Sequence, residues 1–266
     1  MPDTPEIITF CNSAYIPVLA NFLAAPGAPA PAALTVYGLD PETTSFAEQA
    51  GAIARPLDWS GSLGVLWKAR LKVFQDLLAE GRSFVHTDVD ALWLRTPLDA
   101  LLAPEPDMTF SQGTIHPPEG HEARGFVLCC GLFRMNATDA ARRFLERVAD
   151  DIPATSDDQS SVNRVLLADG VVWDGAETPD YRLRMRGKRF SCWKRTLIGR
   201  APGDGLTVGL TPHGLVQRIH DPVDTVGRVH VSHPLSPKSA KEKLNLFSEL
   251  GLLFVSRDRD NTPVES

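Results

Sequence analysis

The chain has 266 residues, 43% of them hydrophobic, enough to bury one large α/β core. Its 33 acidic and 27 basic side chains leave a formal net charge of −6, which argues against nucleic acid as the main partner and points to a small phosphate compound. No apolar run is long enough to span a bilayer, and Met1-Pro2-Asp3-Thr4-Pro5-Glu6 carries no basic segment ahead of an apolar one, so a cytoplasmic protein without a membrane span is expected.

Ile7-Ile8-Thr9-Phe10 is a short β-rich run, and residues 15–25 have apolar side chains at helical spacing until Pro26-Gly27-Ala28-Pro29-Ala30-Pro31 breaks the pattern. Residues 34–37 and 52–55 repeat the strand signal around a helix at 41–49. From 63 to 79, Leu66, Ala69, Val73, Phe74, Leu77 and Leu78 form one apolar stripe, with Gly81 where a helix terminator belongs. Strands follow at 107–111 and 126–133, and helices at 137–149 and 160–168. Beyond Val171 the pattern breaks into short strands and turns, until a last strand at 228–232 and a last helix at 238–252. This alternation predicts an α/β fold, a Rossmann-like, mostly parallel sheet flanked by helices. A single domain over 1–255, more irregular towards its carboxyl end, and a polar tail over 256–266 are expected. Cys11, Cys129, Cys130 and Cys192 have no metal-finger spacing and read as reduced.

The most informative segment is Phe84-Val85-His86-Thr87-Asp88-Val89-Asp90, an apolar strand that runs into two acids flanking one valine. Ligands of open α/β sheets gather at the carboxyl ends of strands. Both carboxylates can turn to one divalent cation, and such hard oxygen donors suit Mg²⁺ or Mn²⁺ holding a diphosphate. Ser156, Asp157 and Asp158 precede another helix and are good capping residues, Asp157 the better placed of them. Arg182, Arg184 and Arg186 alternate along one strand face in the one concentrated basic region, 181–195. With aromatics interleaved it could suit a single nucleic-acid strand, but the acidic whole favours a small anionic or phosphorylated ligand, or else a charged strand edge that resists aggregation.

Several segments, taken in order, resemble the nucleotide-diphospho-sugar transferase family. They are Phe10-Cys11-Asn12 with Tyr15, Trp67-Lys68-Ala69-Arg70-Leu71, Asp88-Val89-Asp90-Ala91-Leu92-Trp93-Leu94-Arg95-Thr96-Pro97, Gly131-Leu132-Phe133-Arg134-Met135-Asn136, Asp157-Asp158-Gln159-Ser160 and His230-Val231-Ser232-His233. The resemblance implies a GT-A fold and a metal-dependent, retaining glycosyltransferase that moves a sugar from a nucleotide-diphosphate donor, commonly a UDP-sugar, to a saccharide or other small acceptor. It implies that His233 joins Asp88 and Asp90 on Mn²⁺ (or Mg²⁺), His230 being the competitor for that place. Donor contacts are implied for Phe10, Cys11, Asn12, Tyr15, Lys68, Arg70, Asp88, Val89, Gly131 and Lys238. Asp158 and Gln159 would lie beneath the donor sugar, with Arg70 beside them, as the catalytic set. The family commonly has an asparagine just before the glycine, where Cys129-Cys130 stand here.

Two other readings compete. A haloacid-dehalogenase-like phosphatase also places Asp-x-Asp after a strand, but that strand usually opens the chain and a Thr or Val follows where Leu92 stands. A binding module could keep a nucleotide-sugar cleft without catalysis, but the joint presence of Asp88, Asp90, Asp158 and His233 favours an enzyme.

Overall fold

The computed structural model describes residues 5–59, 61, 63–102, 106–219, 229–235 and 239–255. The strands are β1 (Glu6–Cys11), β2 (Leu34–Gly38), β3 (Ile53–Pro56), β4 (Phe84–Thr87), β5 (Leu92–Trp93), β6 (Met108–Gln112), β7 (Leu128–Met135), β8 (Val172–Trp173), β9 (Tyr181–Met185), β10 (Lys188–Cys192), β11 (Leu197–Arg200), β12 (Thr207–Leu210), β13 (Val216–Gln217) and β14 (Val231–Ser232). The helices are α1 (Ile16–Leu23), α2 (Pro41–Gln49), α3 (Leu63–Ala79), α4 (Leu98–Leu102), α5 (Pro118–Arg124), α6 (Asp139–Thr155), α7 (Asp158–Ala168) and α8 (Ala240–Glu249).

Nine strands form the central sheet in the order β3-β2-β1-β4-β7-β6-β12-β11-β8. The first four run parallel, β7 reverses between β4 and β6, and β11 reverses between β12 and β8, so all but two strands share one direction. This is the mostly parallel α/β sheet expected from the alternation. Strands β2 and β4 are buried throughout, as strands covered on both faces must be. One core layer gathers Phe10, Phe74, Phe84, Phe110 and Phe133; the other gathers Val18, Phe22, Trp93, Leu132 and Phe247.

A small three-stranded sheet, β13-β14-β5, and a hairpin, β9-β10, stand apart from the main sheet. The small sheet matters most for the site, because β14 comes from the far end of the chain and pairs antiparallel with β5, just past the acids. Trp93, fully buried, donates from Nε1 to Thr87 Oγ1 at 3.2 Å and ties that connection back to the end of β4.

Helix starts follow capping chemistry. Asp40 accepts from Thr43 N at 2.8 Å ahead of Pro41, Thr138 from Ala141 N at 3.2 Å, and Asp157 from Ser160 N at 2.9 Å. Helix α5 has no counterpart among the expected elements; Pro118 stands in its first turn, where no N–H is needed. The last helix is seen from Ala240, and the expected tail lies outside the described residues. All four cysteines are free and buried, and no described helix is long and apolar enough to cross a membrane.

Asp40 also accepts from Ser13 N at 2.7 Å, so one carboxylate joins the turn after β1 to the start of α2. Partial burial opposes its charge, but the Ser13 and Thr43 donors outweigh this and hold its carboxyl below the usual range. A depressed folded pKa stabilises above the unfolded value, and the contribution is lost as pH falls through the folded one. Asp40→Ala should therefore cost about 1–2 kcal/mol in urea unfolding at pH 7, with the gap from wild type closing below about pH 4.

Candidate active site

A cleft of about 620 Å³ opens at the carboxyl ends of β1 and β4. Phe10, Cys11, Asn12 and Tyr15 line one wall, and Arg70, Asp88, Val89, Asp90, Gly131, Asp158, Gln159 and His233 line the rest. The structure thus brings together in one cavity all but two of the residues to which the resemblance gave a donor, catalytic or metal role. Lys68 is the first exception: it is exposed and does not line the cleft, because two residues along α3 turn it about 200° away from Arg70. Lys238 is the second, and lies outside the described residues.

Strand β4 ends at Thr87, so Asp88 and Asp90 stand on a tight turn rather than in the strand. Asp88 N donates to Gly131 O at 2.7 Å and Ala91 N to Asp88 O at 3.0 Å, which fixes the turn while the buried Val89 anchors it. His233 directly follows β14. Its Nε2 lies 3.2 Å from Asp90 Oδ1 and 3.9 Å from Asp88 Oδ2, and its own N–H donates to Gln217 O at 2.8 Å. One ligand atom from each of Asp88, Asp90 and His233 falls within 4.8 Å of the others. His230 instead meets Thr96 O through Nδ1 at 2.8 Å, away from the acids.

A divalent cation fits this donor set, two carboxylates and an imidazole. The fit extends to Gly131: a Cβ there would stand 2.0 Å from His233 Cε1 and 2.8 Å from Asp88 Oδ2. The resemblance implies a donor contact at Gly131. Sterically its first role is to leave room for His233.

On the other side of Asp88, Arg70 is buried and holds the cleft together. Its Nη2 meets Asp158 Oδ2 at 3.0 Å and His86 Nε2 at 3.0 Å, while Nη1 faces Asp88 Oδ1 at 3.4 Å. Trp67, Phe10 and Phe74 surround the guanidinium, at 4.9, 5.5 and 5.9 Å from its centre, so its orientation is fixed by packing as well as charge. Burial, with Arg70 beside it, holds His86 down to about 4; the neutral ring either accepts from Arg70 or donates to Asp88 through Nε2, one at a time. Burial opposes ionisation of Asp88, but the His86 hydrogen bond and Arg70 overcome it and set the carboxyl at about 2. Asp158 goes the other way: burial raises it to about 6 even against Arg70. Two carboxylates on one guanidinium are thereby driven apart in acidity. Gln159 accepts from Cys130 N at 3.3 Å and donates to His116 O at 2.8 Å, which aligns its amide next to Asp158.

Two cations of the site escaped sequence reading. Lys243 of α8 is buried, pairs with Asp90 Oδ2 at 2.9 Å and donates to Pro234 O at 3.0 Å. Burial raises the Asp90 carboxyl, but His233 and Lys243 more than reverse this and hold it far below the usual range. The available signal was a lysine within the apolar stripe Ala240, Lys243, Leu244, Phe247 of the last helix. Arg218, just after β13, places Nη1 3.1 Å from Cys129 Sγ and 3.0 Å from His233 Nε2. It has no carboxylate partner among the described residues, and its Nε is buried without one. No local pattern marked it.

Among known sequences, a family model described as nucleotide-diphospho-sugar transferase matches residues 60–192, half of the chain. No curated protein sequence matches. Among solved structures, the galactosyltransferase LgtC in complex with donor and acceptor sugar analogs has a similar fold, with 16% identity, a TM-score of 0.51, and coverage of 95% of this chain and 97% of that one. An active-site mutant of LgtC gives 14% identity and a TM-score of 0.52 over the same shares. The fold is therefore that of GT-A glycosyltransferases, with the cleft at the end of its parallel half. The chain belongs to the nucleotide-diphospho-sugar transferase family, and it is a glycosyltransferase. The phosphatase alternative falls with that membership.

Removing Asp90 orphans the buried Lys243 ammonium, and breaking a buried pair from one side costs about 3–5 kcal/mol. Asp90→Ala should therefore melt well below wild type, and adding Lys243→Met should recover most of the loss. Calorimetric melts of the two variants check this, and equal melting of the single variant and wild type would refute the pairing.

Proposed function

We propose that this enzyme transfers a sugar from a UDP-sugar to an acceptor, with a divalent cation, Mn²⁺ foremost, and with retention of anomeric configuration. The observation that carries the reading is the convergence of Asp88, Asp90 and His233 at one wall of the cleft, with the Arg70–Asp158 pair beside them. Asp88, Asp90 and His233 would hold the cation, which when bound supplies positive charge to a departing diphosphate. The imidazole among the ligands favours Mn²⁺ over Mg²⁺. Asn12 and Tyr15 stand on the cleft wall as the contacts for the base. Arg218, with no carboxylate partner among the described residues, is placed to meet a phosphate and takes over part of the task that the resemblance gave Lys238.

Asp158 and Gln159 are the residues that serve the sugar. A carboxylate held by Arg70 next to an aligned amide can stabilise an oxocarbenium-like centre from the face opposite the leaving group, and this supports retention. Gly131 and Val89 shape the floor between them.

A thermal-shift panel of nucleoside diphosphates with and without Mn²⁺ tests the donor side. A cation-dependent shift with UDP is expected, and Arg218→Gln should weaken UDP affinity by about tenfold while leaving the melting temperature of the free enzyme near wild type. No shift with any nucleotide would sink the reading.

Asp158→Asn tests the chemistry at the donor sugar. Because burial raises this carboxyl to about 6, its ionised form burdens the fold above that pH and the burden lifts as pH falls towards the unfolded value. Asp158→Asn should lose donor cleavage by about 100-fold or more yet melt no lower than wild type at pH 7.5, with any stability gain shrinking by pH 5. Retained cleavage would remove Asp158 from the mechanism.

A further inference from the structure

The β9–β10 hairpin carries a cluster of arginines that the donor cleft does not use. Register places Arg184 directly opposite Arg189, and Arg182 two residues along the same face opposite Ser191. All three arginines are exposed, and they line a second concavity of about 440 Å³ together with Pro179, Asp180 and Tyr181. Like charges directly opposite across a strand pair destabilise it. Among the described residues no carboxylate lies within ion-pair distance of Arg182, Arg184, Arg186 or Arg189. The nearby pairs are Lys188 with Glu122 and Arg195 with Asp180, both at 3.9 Å, and Asp180 also accepts from Lys194 N. Protection of a strand edge explains charge on a hairpin, but not two arginines facing each other.

The turn adds a second, independent observation. Arg186 and Gly187 have φ of +47° and +80°, the left-handed pair that a tight hairpin demands, and asparagine is the usual first residue there. An arginine keeps that place despite the strain, and Met185 and Arg186 line the donor cleft. The hairpin therefore stands between the two concavities, with cations towards each.

We propose that the acceptor is a saccharide bearing phosphate or carboxylate groups, its reacting end in the cleft beside Arg186 and its anionic groups on Arg182, Arg184 and Arg189. The assignment of this ligand as the acceptor rests on the transferase reading above. The net charge of −6 disfavours a nucleic acid strand.

Calorimetric titration of the full chain with a phosphorylated mannopentaose, with the same oligosaccharide after phosphatase treatment, and with phosphatidylglycerol vesicles tests this. The phosphorylated glycan should bind at least about tenfold more tightly than its neutral form, with an advantage that falls as salt rises. The R182Q/R184Q/R189Q variant should lose that advantage while keeping the UDP–Mn²⁺ thermal shift; if it does not fold, R184Q should move in the same direction. Equal binding of the two glycans, equal binding by variant and wild type, or binding to vesicles alone would overturn the proposal. Glycan binding without any nucleotide shift in wild type would instead overturn the transferase reading, and the acceptor assignment with it.

Discussion

The site depends on one short antiparallel contact, Val231 with Trp93 and Ser232 with Leu92. Without it, His233 would have no reason to stand near residues some 145 positions earlier in the chain, an order-of-magnitude span whose closure is entropically unfavourable. The contact is reinforced on both sides. Leu94 N donates to His230 O at 2.7 Å, Trp93 is fully buried against Phe22, and β13 pairs with β14 from the other edge. Hydrophobic burial of Trp93, Val216 and Val231 thus pins a polar constellation in place. The chemistry is held by packing that takes no part in it.

Within the cleft, charge is balanced across two linked pairs. Arg70 joins Asp88 to Asp158, and Lys243 joins Asp90 to the Pro234 carbonyl, so each acid of the turn has its own cation. Buried charges tolerate such placement only when paired and hydrogen-bonded. The arrangement fixes the carboxylates and leaves Asp88 Oδ2 and Asp90 Oδ1 turned towards His233. Cys129 shares this balance: burial raises its thiol, but Arg218 and His233 reverse the effect and lower it, whereas its neighbour Cys130 is raised well above the usual thiol range. Adjacent cysteines therefore face different environments, Cys129 beside Arg218 and His233 and Cys130 near Asp158.

The substitution of Cys129-Cys130 before Gly131 bears on the donor pocket directly. The smaller, softer side chain of Cys129 accommodates Arg218 at 3.1 Å, in a cleft wall where the resemblance leads one to expect an amide. The wall lined by Asn12 and Tyr15 lies at the end of β1, where the Asp40 carboxylate orders the following turn. The cleft thus draws its walls from both halves of the chain, Asn12 and Tyr15 from the end of β1 and Arg218, His233 and Lys243 from the carboxyl-terminal part.

By itself the sequence determined the α/β alternation, the helix over Leu63–Ala79, the acids after β4 and the cap at Asp157. These are local matters of periodicity, capping and strand ends, and local chemistry settles them. The sequence also contained His233, but only the family resemblance singled it out from His230, because nothing local says which histidine turns inward. Only the tertiary structure decided that Gly131 makes room for that imidazole, that Lys68 turns outward, and that Lys243 and Arg218 enter the site. Each of these depends on how distant elements pack: α8 against the end of β4, and β13 beside β14. Long-range pairing leaves no periodic trace in the chain, so those residues become legible only once the sheet has closed around them.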